Sequence, residues 1–446
     1  MMKKQVTTFT EGPILMPLIR FALPVLAALF LQTMYGAVDL LVVGQYSNAG
    51  EVSAVSTGSQ LMNSLTVVVT GLSMGITIMI GQYIGQKRPE KAAQTIGNGI
   101  SLFLVVTVMM TIGIIALAGP LAALLQAPEE AFDSTVAYIR ICASGFLFIV
   151  GYNLLGSIFR GIGDSKMPLI TVAIACVVNI FGDLLLVAVF KMGAAGAAIA
   201  TVAAQAISVV LSLIIIAKRP LPFTFSLKAI RFEGKMIKKI LGLGTPVALQ
   251  DLLVSISFLV IMAIVNAMGV IASAGVGVAE KLCGFIMLVP SAFMQSMSAF
   301  VAQNVGAGKW DRARKTLWYG VGASAAVGVM MFYVSFFHGD LLSGLFAKDA
   351  QVIAASVDYL RSYAIDTLLT SFLFCFIGYF NGCGKTFFVM IQGLVGAFLV
   401  RIPVAFLISR ISGATLFMIG LATPSSTIVQ IVLCMVYYVI VNRKNK

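Results

Sequence analysis

Long apolar stretches recur along this chain and leave it few ways to fold. Three of them are Leu102–Leu117, Ile170–Phe190 and Gly196–Ala217. Stretches near 18 residues or longer can cross a bilayer as helices, in which the backbone satisfies its own hydrogen bonds. Apolar residues make up 59% of the chain and charged residues only 11%, too few to cover a water-soluble surface. The sequence therefore predicts an all-α polytopic membrane protein.

Twelve spans are predicted, six on each side of a polar stretch. That stretch, 218–234, contains two prolines and several bases, and indicates a cytoplasmic linker between an N-terminal lobe, 1–217, and a C-terminal lobe, 235–446. No short apolar core with a small-residue cleavage site follows the N-terminus, so we expect no cleaved signal peptide. The predicted spans are 14–46, 51–83, 93–118, 135–159, 167–190, 194–217, 236–267, 271–304, 313–336, 355–380, 386–409 and 413–441.

The distribution of Lys and Arg between the spans predicts the orientation. If both termini are cytoplasmic, nearly all bases between spans lie on the inner side, and the outer loops keep only Lys191, Lys348 and Arg410. Cytoplasmic loops of membrane proteins carry such an excess of bases. We therefore expect a multi-pass protein of the cell membrane with both termini inside. The formal charge of +13 then indicates contact with anionic lipid headgroups rather than nucleic acid.

The two halves of the chain repeat one another. Identical residues recur 221 positions apart, and the helix-breaking prolines Pro24 and Pro246 match within one residue of that spacing. Six spans per half give both halves one orientation, so a pseudo-two-fold axis along the membrane normal should relate them. Such lobes flank a central cleft and can rock around it to give alternating access. The recurring pairs are Gln82 and Gln303, Gly85 and Gly306, Ala92 and Ala313, Tyr138 and Tyr359, Arg140 and Arg361, Phe159 and Phe380, Gly161 and Gly382, and Gly163 and Gly384.

Two carboxylates of the first half are predicted to lie at one depth. Asp39 is about seven residues from the outer end of the first span, and Asp183 is as far from that of the fifth. Thr201 is about seven residues into the sixth span, which begins outside. Seven residues is roughly 10 Å of helix. Asn179 and Tyr35 each precede one of the aspartates by four residues and share its helix face.

These side chains suit a small cation. Carboxylate, amide and hydroxyl oxygens are the ligands that hard cations prefer, so Asp39, Asn179, Asp183 and Thr201 could hold sodium. Alternatively, two buried carboxylates can share a proton. Intramembrane charge is costly and is a functional candidate by default. The structural alternative is that the aspartates pair with bases such as Arg401 to hold helices together.

Other intramembrane features have two readings each. Asp251, Glu280 and Asp366 are predicted either to line the cleft or to serve packing, and Lys281 could neutralise its neighbour Glu280. Pro24 lies within the span that carries Asp39 and frees a backbone carbonyl, so it predicts a kink. That kink is either a coupling element or a static packing feature.

Catalytic and nucleotide-binding signatures are missing from the sequence. It has no G-x-x-x-x-G-K-[ST] loop, so ATP is not expected to drive transport. The single histidine, His338, is placed in an outer loop, and the six cysteines form no metal-binding pattern. We expect no enzymatic activity and no cofactor.

An ordered set of short sequence blocks extends over nearly the whole chain. The blocks are Pro17 to Pro24 (Pro-Leu-Ile-Arg-Phe-Ala-Leu-Pro), Ala37-Val38-Asp39, Gly81-Gln82-x-x-Gly85, Ala302-Gln303-x-x-Gly306-Ala307-Gly308, Phe159-Arg160-Gly161-x-Gly163-Asp164-Ser165 and Asn381-Gly382-x-Gly384-Lys385-Thr386. With these blocks the chain resembles the multidrug and toxic compound extrusion (MATE) family of secondary transporters, and the order of the blocks together with the repeat makes the resemblance specific.

The resemblance implies a two-lobe exporter of amphipathic, often cationic drugs, exchanged for protons or sodium ions. In bacterial members similar to this chain, a cation site in the N-terminal lobe matches Asp39, Asn179, Asp183, Thr201 and Tyr35. An asparagine of the fourth span corresponds to Asn153, which lies nearer the inner face, and Gln60 is a further candidate for contact with substrate. The alternative within transport is a flippase for lipid-linked sugars. We expect a monomer; the sequence names neither the coupling ion nor the natural substrate.

Overall fold

The computed structural model describes residues 9–218 and 229–444 of the chain. All regular structure in these two ranges is helical, as the apolar stretches predict. Most of the predicted cytoplasmic linker, residues 219–228, lies outside the described residues. The all-α fold class is confirmed.

The helices are long in most spans and broken in a few. Those of the first half are α1 (Leu15–Tyr46), α2 (Ala49–Gly85), α3 (Pro89–Leu124), α4 (Phe132–Ser144), α5 (Phe146–Ile162), α6 (Lys166–Asp183) and α7 (Gly193–Lys218). Those of the second half are α8 (Gly234–Asn266), α9 (Val270–Ile286), α10 (Leu288–Gly306), α11 (Trp310–Phe337), α12 (Gly339–Gly344), α13 (Ala350–Gly382), α14 (Thr386–Leu394), α15 (Ile402–Ser409), α16 (Leu416–Gly420) and α17 (Ala422–Lys444).

Local sequence sets several helix ends. The side chain of Asn48 accepts the backbone N–H of Glu51 and so caps α2, and Asp349 caps α13 in the same way. Helix α5 ends at Gly163, whose positive φ of 96° suits a residue without a side chain. These capping groups satisfy backbone donors and acceptors that a helix end leaves free.

Within the described residues, eleven helical segments are long and apolar enough to cross a membrane, and a bent pair makes a twelfth. That pair is the predicted span 135–159, which is broken at Gly145 and bent by 52°. A side chain at Gly145 would overlap with Val202 of α7. The break therefore lies where another helix approaches the backbone closely.

Two of the spans that the structure describes contain a π-helical stretch, in which the backbone holds about one extra residue per turn. One, Leu184–Val189, follows directly on Asp183. The other, Val395–Arg401, ends just before Pro403, which has no N–H to donate to the preceding turn.

The chain forms two compact units that exchange the beginnings of two helices. Residues 27–248 belong to the first unit, and Phe9–Leu26 and Leu249–Lys446 belong to the second. The changes from one unit to the other fall two residues after Pro24 in α1 and two residues after Pro246 in α8. Both prolines lie inside continuous helices. The division into lobes 1–217 and 235–446 stays a prediction.

In the second unit, residues 9–13 form an N-terminal strap. The Phe9 ring stacks on Phe300 at 4.5 Å and meets Phe21 edge-on at 5.1 Å. The guanidinium of Arg312 donates to the carbonyl oxygens of Phe9, Glu11, Gly12 and Pro13 over 2.7–3.2 Å. One arginine thus fixes the backbone that enters α1.

In the first unit, α2 and the beginning of α8 pack through small residues. Gly71 and Gly75 of α2, four residues apart, face Ala248, Gly244 and the backbone near Ile240. Such small-xxx-small spacing lets helix backbones approach closely inside membranes. A side chain at Gly75 would put its Cβ 2.5 Å from the Ile240 carbonyl oxygen and 2.9 Å from the Gly244 nitrogen.

Candidate functional site

Asp39 and Asp183 meet inside the first unit. Asp39 is 5% exposed on α1, and Asp183 is fully buried as the last residue of α6. Their carboxyl groups lie within hydrogen-bonding reach of each other. Two ionised carboxylates at that separation repel strongly in a medium of low dielectric constant. The pair therefore needs a proton or a cation to be stable.

Thr201 and Asn179 connect to this pair. The Thr201 hydroxyl donates to Asp39 Oδ2 at 3.1 Å, and the Asn179 amide is 3.4 Å from the Thr201 oxygen. Asn179 also reaches Asp39. Three helices, α1, α6 and α7, thus bring together the four side chains that the sequence places at one depth.

Several oxygens of this cluster lack a donor. Asp39 Oδ1, Asn179 Oδ1 and both carboxylate oxygens of Asp183 are buried without a protein hydrogen-bond partner. Among the described residues, neither aspartate forms an ion pair with a base. Buried acceptors that lack donors are costly unless a ligand satisfies them. The cluster therefore offers oxygen ligands to a small cation or a place for a shared proton.

Tyr35 borders the cluster through a residue that sequence reasoning missed. Gln205 Nε2 donates to the Tyr35 hydroxyl at 3.0 Å. Gln205 is one helical turn beyond Thr201 on α7, so the i, i+4 rule applied to Thr201 was a signal that could have found it. Its Oε1 is buried without a partner and adds another oxygen beside Tyr35.

The remaining first-half candidates lie outside this cluster. Asn153 on α5 accepts from Thr70 of α2 at 3.0 Å and donates to its own helix at Ile149, so its polar atoms are satisfied. Gln60 is exposed on α2. The structure thus brings four of the predicted residues together, places Tyr35 at their edge, and leaves Asn153 and Gln60 apart.

The second-half candidates divide into two groups. Asp251 is half-buried on α8, where its backbone carbonyl accepts from the Ser255 hydroxyl. Asp366 is 2% exposed on α13 and Glu280 is half-buried on α9, within the same unit. The base proposed as a structural partner of the first-half aspartates, Arg401, instead contacts residues of the second unit.

Thr201→Val should separate proton binding from sodium binding at this cluster. Valine keeps the shape but removes the hydroxyl that donates to Asp39. The ionised carboxylate then loses a stabilising bond, so a proton would bind more tightly and half-maximal activity would move to higher pH. Sodium would instead lose an oxygen ligand and bind more weakly. A lost bond to a charged group corresponds to roughly tenfold in either direction.

The measurement is the pH or the sodium concentration that gives half-maximal dye uptake in membrane vesicles. Thr201→Ser, which keeps the hydroxyl, is the matched control and should behave as the unchanged chain. Equal values for Thr201→Val and Thr201→Ser would exclude Thr201 from ion binding.

An internally repeated set of membrane-spanning helices with buried carboxylates is typical of a membrane transporter. The family model described as MatE matches the chain twice, over residues 24–185 and 246–407, as the internal repeat predicts. The chain belongs to the MatE family of membrane transporters, which confirms the resemblance drawn from the sequence.

Curated relatives match over almost the whole chain. The "Probable multidrug resistance protein YpnP" of Bacillus subtilis (strain 168) is 27% identical over 406 residues, which are 90% of each chain. The "Multidrug export protein MepA" of Staphylococcus aureus (strain bovine RF122 / ET3-1) is 22% identical over 445 residues, 98% of this chain and 96% of that one.

Solved structures share the fold. One, described as the outward-facing conformation of a multidrug resistance MATE family transporter, has a TM-score of 0.93 at 18% identity and covers 100% of this chain and 99% of its own. A Pyrococcus furiosus transporter of the MOP superfamily, described as having a binding pocket of reverse polarity, has a TM-score of 0.91 at 19% identity and covers 100% and 98%. At these identities, the likeness establishes the fold alone.

Proposed function

We propose that this chain is a secondary active multidrug exporter that exchanges amphipathic, cationic drugs for protons or sodium ions by alternating access. The observation that carries the coupling is the Asp39–Asp183 pair, buried and without a base among the described residues. The multidrug substrate class is supported by the curated relatives named as multidrug resistance and multidrug export proteins.

Coupling requires a site whose charge changes with the transport cycle. When the pair holds a proton or sodium ion, its charge is partly neutralised and the surrounding helices can close over it at low cost. When the ion leaves, the repelling carboxylates favour a hydrated arrangement. Thr201 and Asn179 orient the carboxylates so that the change is confined to the junction of α1, α6 and α7.

The cellular setting follows from the charge pattern between spans. We infer that the protein is in the cell membrane with both termini cytoplasmic, because bases are concentrated in the segments assigned to the inner side. Its partners are then drug-like small molecules and membrane lipids, it acts as a monomer, and it needs no cofactor besides the coupling ion.

Everted membrane vesicles test this function directly. Uptake of an ethidium-like fluorescent dye should follow an imposed proton gradient or an imposed sodium gradient, applied one at a time. Adding an ionophore that collapses the active gradient should stop the uptake, because no ATP-binding loop is present to drive it.

Vesicles carrying the Asp39→Asn/Asp183→Asn chain provide the matched control. Dye uptake that continues after both gradients are collapsed would overturn ion coupling. Absence of uptake for every dye of a panel, together with translocation of a lipid-linked sugar, would instead assign the chain as a flippase.

A further inference from the structure

The second unit contains a guanidinium in its interior. Arg401 is 5% exposed at the end of the π-helical stretch Val395–Arg401. Its Nη1 donates to the Ser257 hydroxyl at 2.9 Å, and its Cζ lies 4.3 Å from the ring centroid of Phe258. A charge so deep in a membrane protein is costly unless a function or a partner retains it.

Arg401 lies close to the repeat position of the coupling cluster. In the first unit, the cluster joins the first and fifth spans of its half. In the second unit, Arg401 on the fifth span of its half contacts Ser257 and Phe258 on the first. The repeat spacing makes Val404, three residues after Arg401, the counterpart of Asp183, and puts the counterpart of Asp39 near Val260. The same pair of helices thus carries two acids in one unit and a base in the other.

Two acidic side chains lie in the same interior as this base, and neither forms an ion pair with it. Asp366 of α13 interacts electrostatically with Arg401 and lies within reach of Thr427, and its Oδ1 has no protein partner. Glu280 of α9 lies in the same interior and also has an unpartnered carboxylate oxygen, Oε1. The other titratable groups facing Arg401 and Asp366 are the hydroxyls of Tyr359 and Tyr363 on α13 and the thiol of Cys283 on α9.

A cation fixed to the protein and an exchangeable cation compete for the same carboxylate, and the fixed one cannot be released. A guanidinium stays charged at any physiological pH and cannot leave the protein. It lowers the attraction of nearby carboxylates for a second cation by its own positive charge. We propose that Arg401 is a built-in cation that takes, in the second unit, the place of the exchangeable ion in the first.

It follows that Arg401 balances the carboxylate of Asp366, and that Asp366 does not exchange ions during transport. The inference rests on the proposed function for the meaning of the first cluster, but its test does not depend on transport. That test asks whether removal of Arg401 creates a new ion-dependent stability in the purified chain.

Thermal unfolding in detergent supplies the readout, followed with a thiol-reactive fluorophore because all six cysteines are buried and unpaired. The starting protein is the full chain with Asp39→Asn and Asp183→Asn, which silences the first cluster. Adding Arg401→Met should make the melting temperature rise by about 2–4 °C more than in the starting protein when the pH falls or sodium is added. The folded state would then take up a proton or sodium ion that the unfolded state releases.

Matched variants define the outcomes. Arg401→Lys keeps a tethered cation, and Arg410→Met removes an exposed arginine farther along the chain, so neither should gain the response. Adding Asp366→Asn to Arg401→Met should remove the response and restore stability, since both charges are then absent. This double change also serves if Arg401→Met alone unfolds.

The proposal is overturned if Arg401→Met gains no ion response, or if Asp366→Asn neither removes the response nor raises stability beside Arg401→Met. It is equally overturned if the starting protein already shows an ion response that Asp366→Asn abolishes. A chain with intact Asp39 and Asp183 that shows no ion response would count against the proposed coupling function and leave the assignment of Arg401 standing.

Discussion

Asp39→Asn and Asp183→Asn are each expected to reduce gradient-driven dye export to the background of cells that lack the transporter. Asparagine keeps the size of the side chain and some of its hydrogen bonds, but it cannot release a proton and attracts a sodium ion weakly. Both positions are buried in the first unit without an ion-pairing base among the described residues. Loss of one charge therefore removes the change in charge on which coupling depends.

The same substitutions should leave the protein folded. Removing one of two repelling buried charges relieves an unfavourable interaction, so the melting temperature in detergent should stay level or rise. Asp340→Asn, at an exposed carboxylate of α12, is the control and should export dye normally. Near-normal export by both Asp39→Asn and Asp183→Asn would contradict the assignment of the pair.

Gly75→Leu is expected to destabilise the first unit by about 3 kcal/mol or more. The added side chain would enter the contact where α2 meets the beginning of α8, and its Cβ would lie 2.5 Å from a backbone carbonyl oxygen. Backbone cannot move aside as a flexible side chain can, so overpacking there lies at the upper end of the usual range. The checks are melting in detergent and the amount of folded protein in the membrane.

Gly113→Leu is the matched control for this prediction. Gly113 lies within α3, and nothing lies within 4 Å of a Cβ built there. Leucine has a higher helix propensity than glycine, so this change should be neutral or slightly stabilising. Equal melting temperatures for Gly75→Leu and Gly113→Leu would show that the close approach of α2 and α8 is not needed for stability.

The spans of the fold could be predicted because membrane helices are set by length and hydropathy. The breaks could not, since they depend on neighbouring helices. Gly145 and Asp366 are counterparts in the repeat, yet the helix is broken at Gly145 and runs unbroken through Asp366. The π-helical stretches after Asp183 and before Pro403 could not be predicted either, because the hydrophobic periodicity of a span does not reveal one extra residue in a turn.

The depth of the candidate site residues in the membrane could be predicted from the sequence. Counting from the outer helix ends placed Asp39, Asp183 and Thr201 at one level, and the structure brings them into contact. The spacing of residues along one helix does not show which faces of different helices meet, so Gln205 was missed. Asn153, which the resemblance adds, lies apart from this cluster and accepts from Thr70, and its role stays a prediction. The alternative that Arg401 pairs with the first-half aspartates was wrong, because Arg401 contacts Ser257 and Phe258.

The exchange of helix beginnings between the two units limits how this chain can be divided. A gene fragment ending in the polar stretch 218–234 would supply residues 9–26, which pack with the second unit, but would omit 235–248, which complete the first. Neither fragment would contain one whole unit, so each would expose the surface that its missing piece covers. Two fragments made together could restore both units. An ancestral protein of half this length would, on the same arrangement, have needed a second copy of itself and an exchange of N-terminal arms to complete either core.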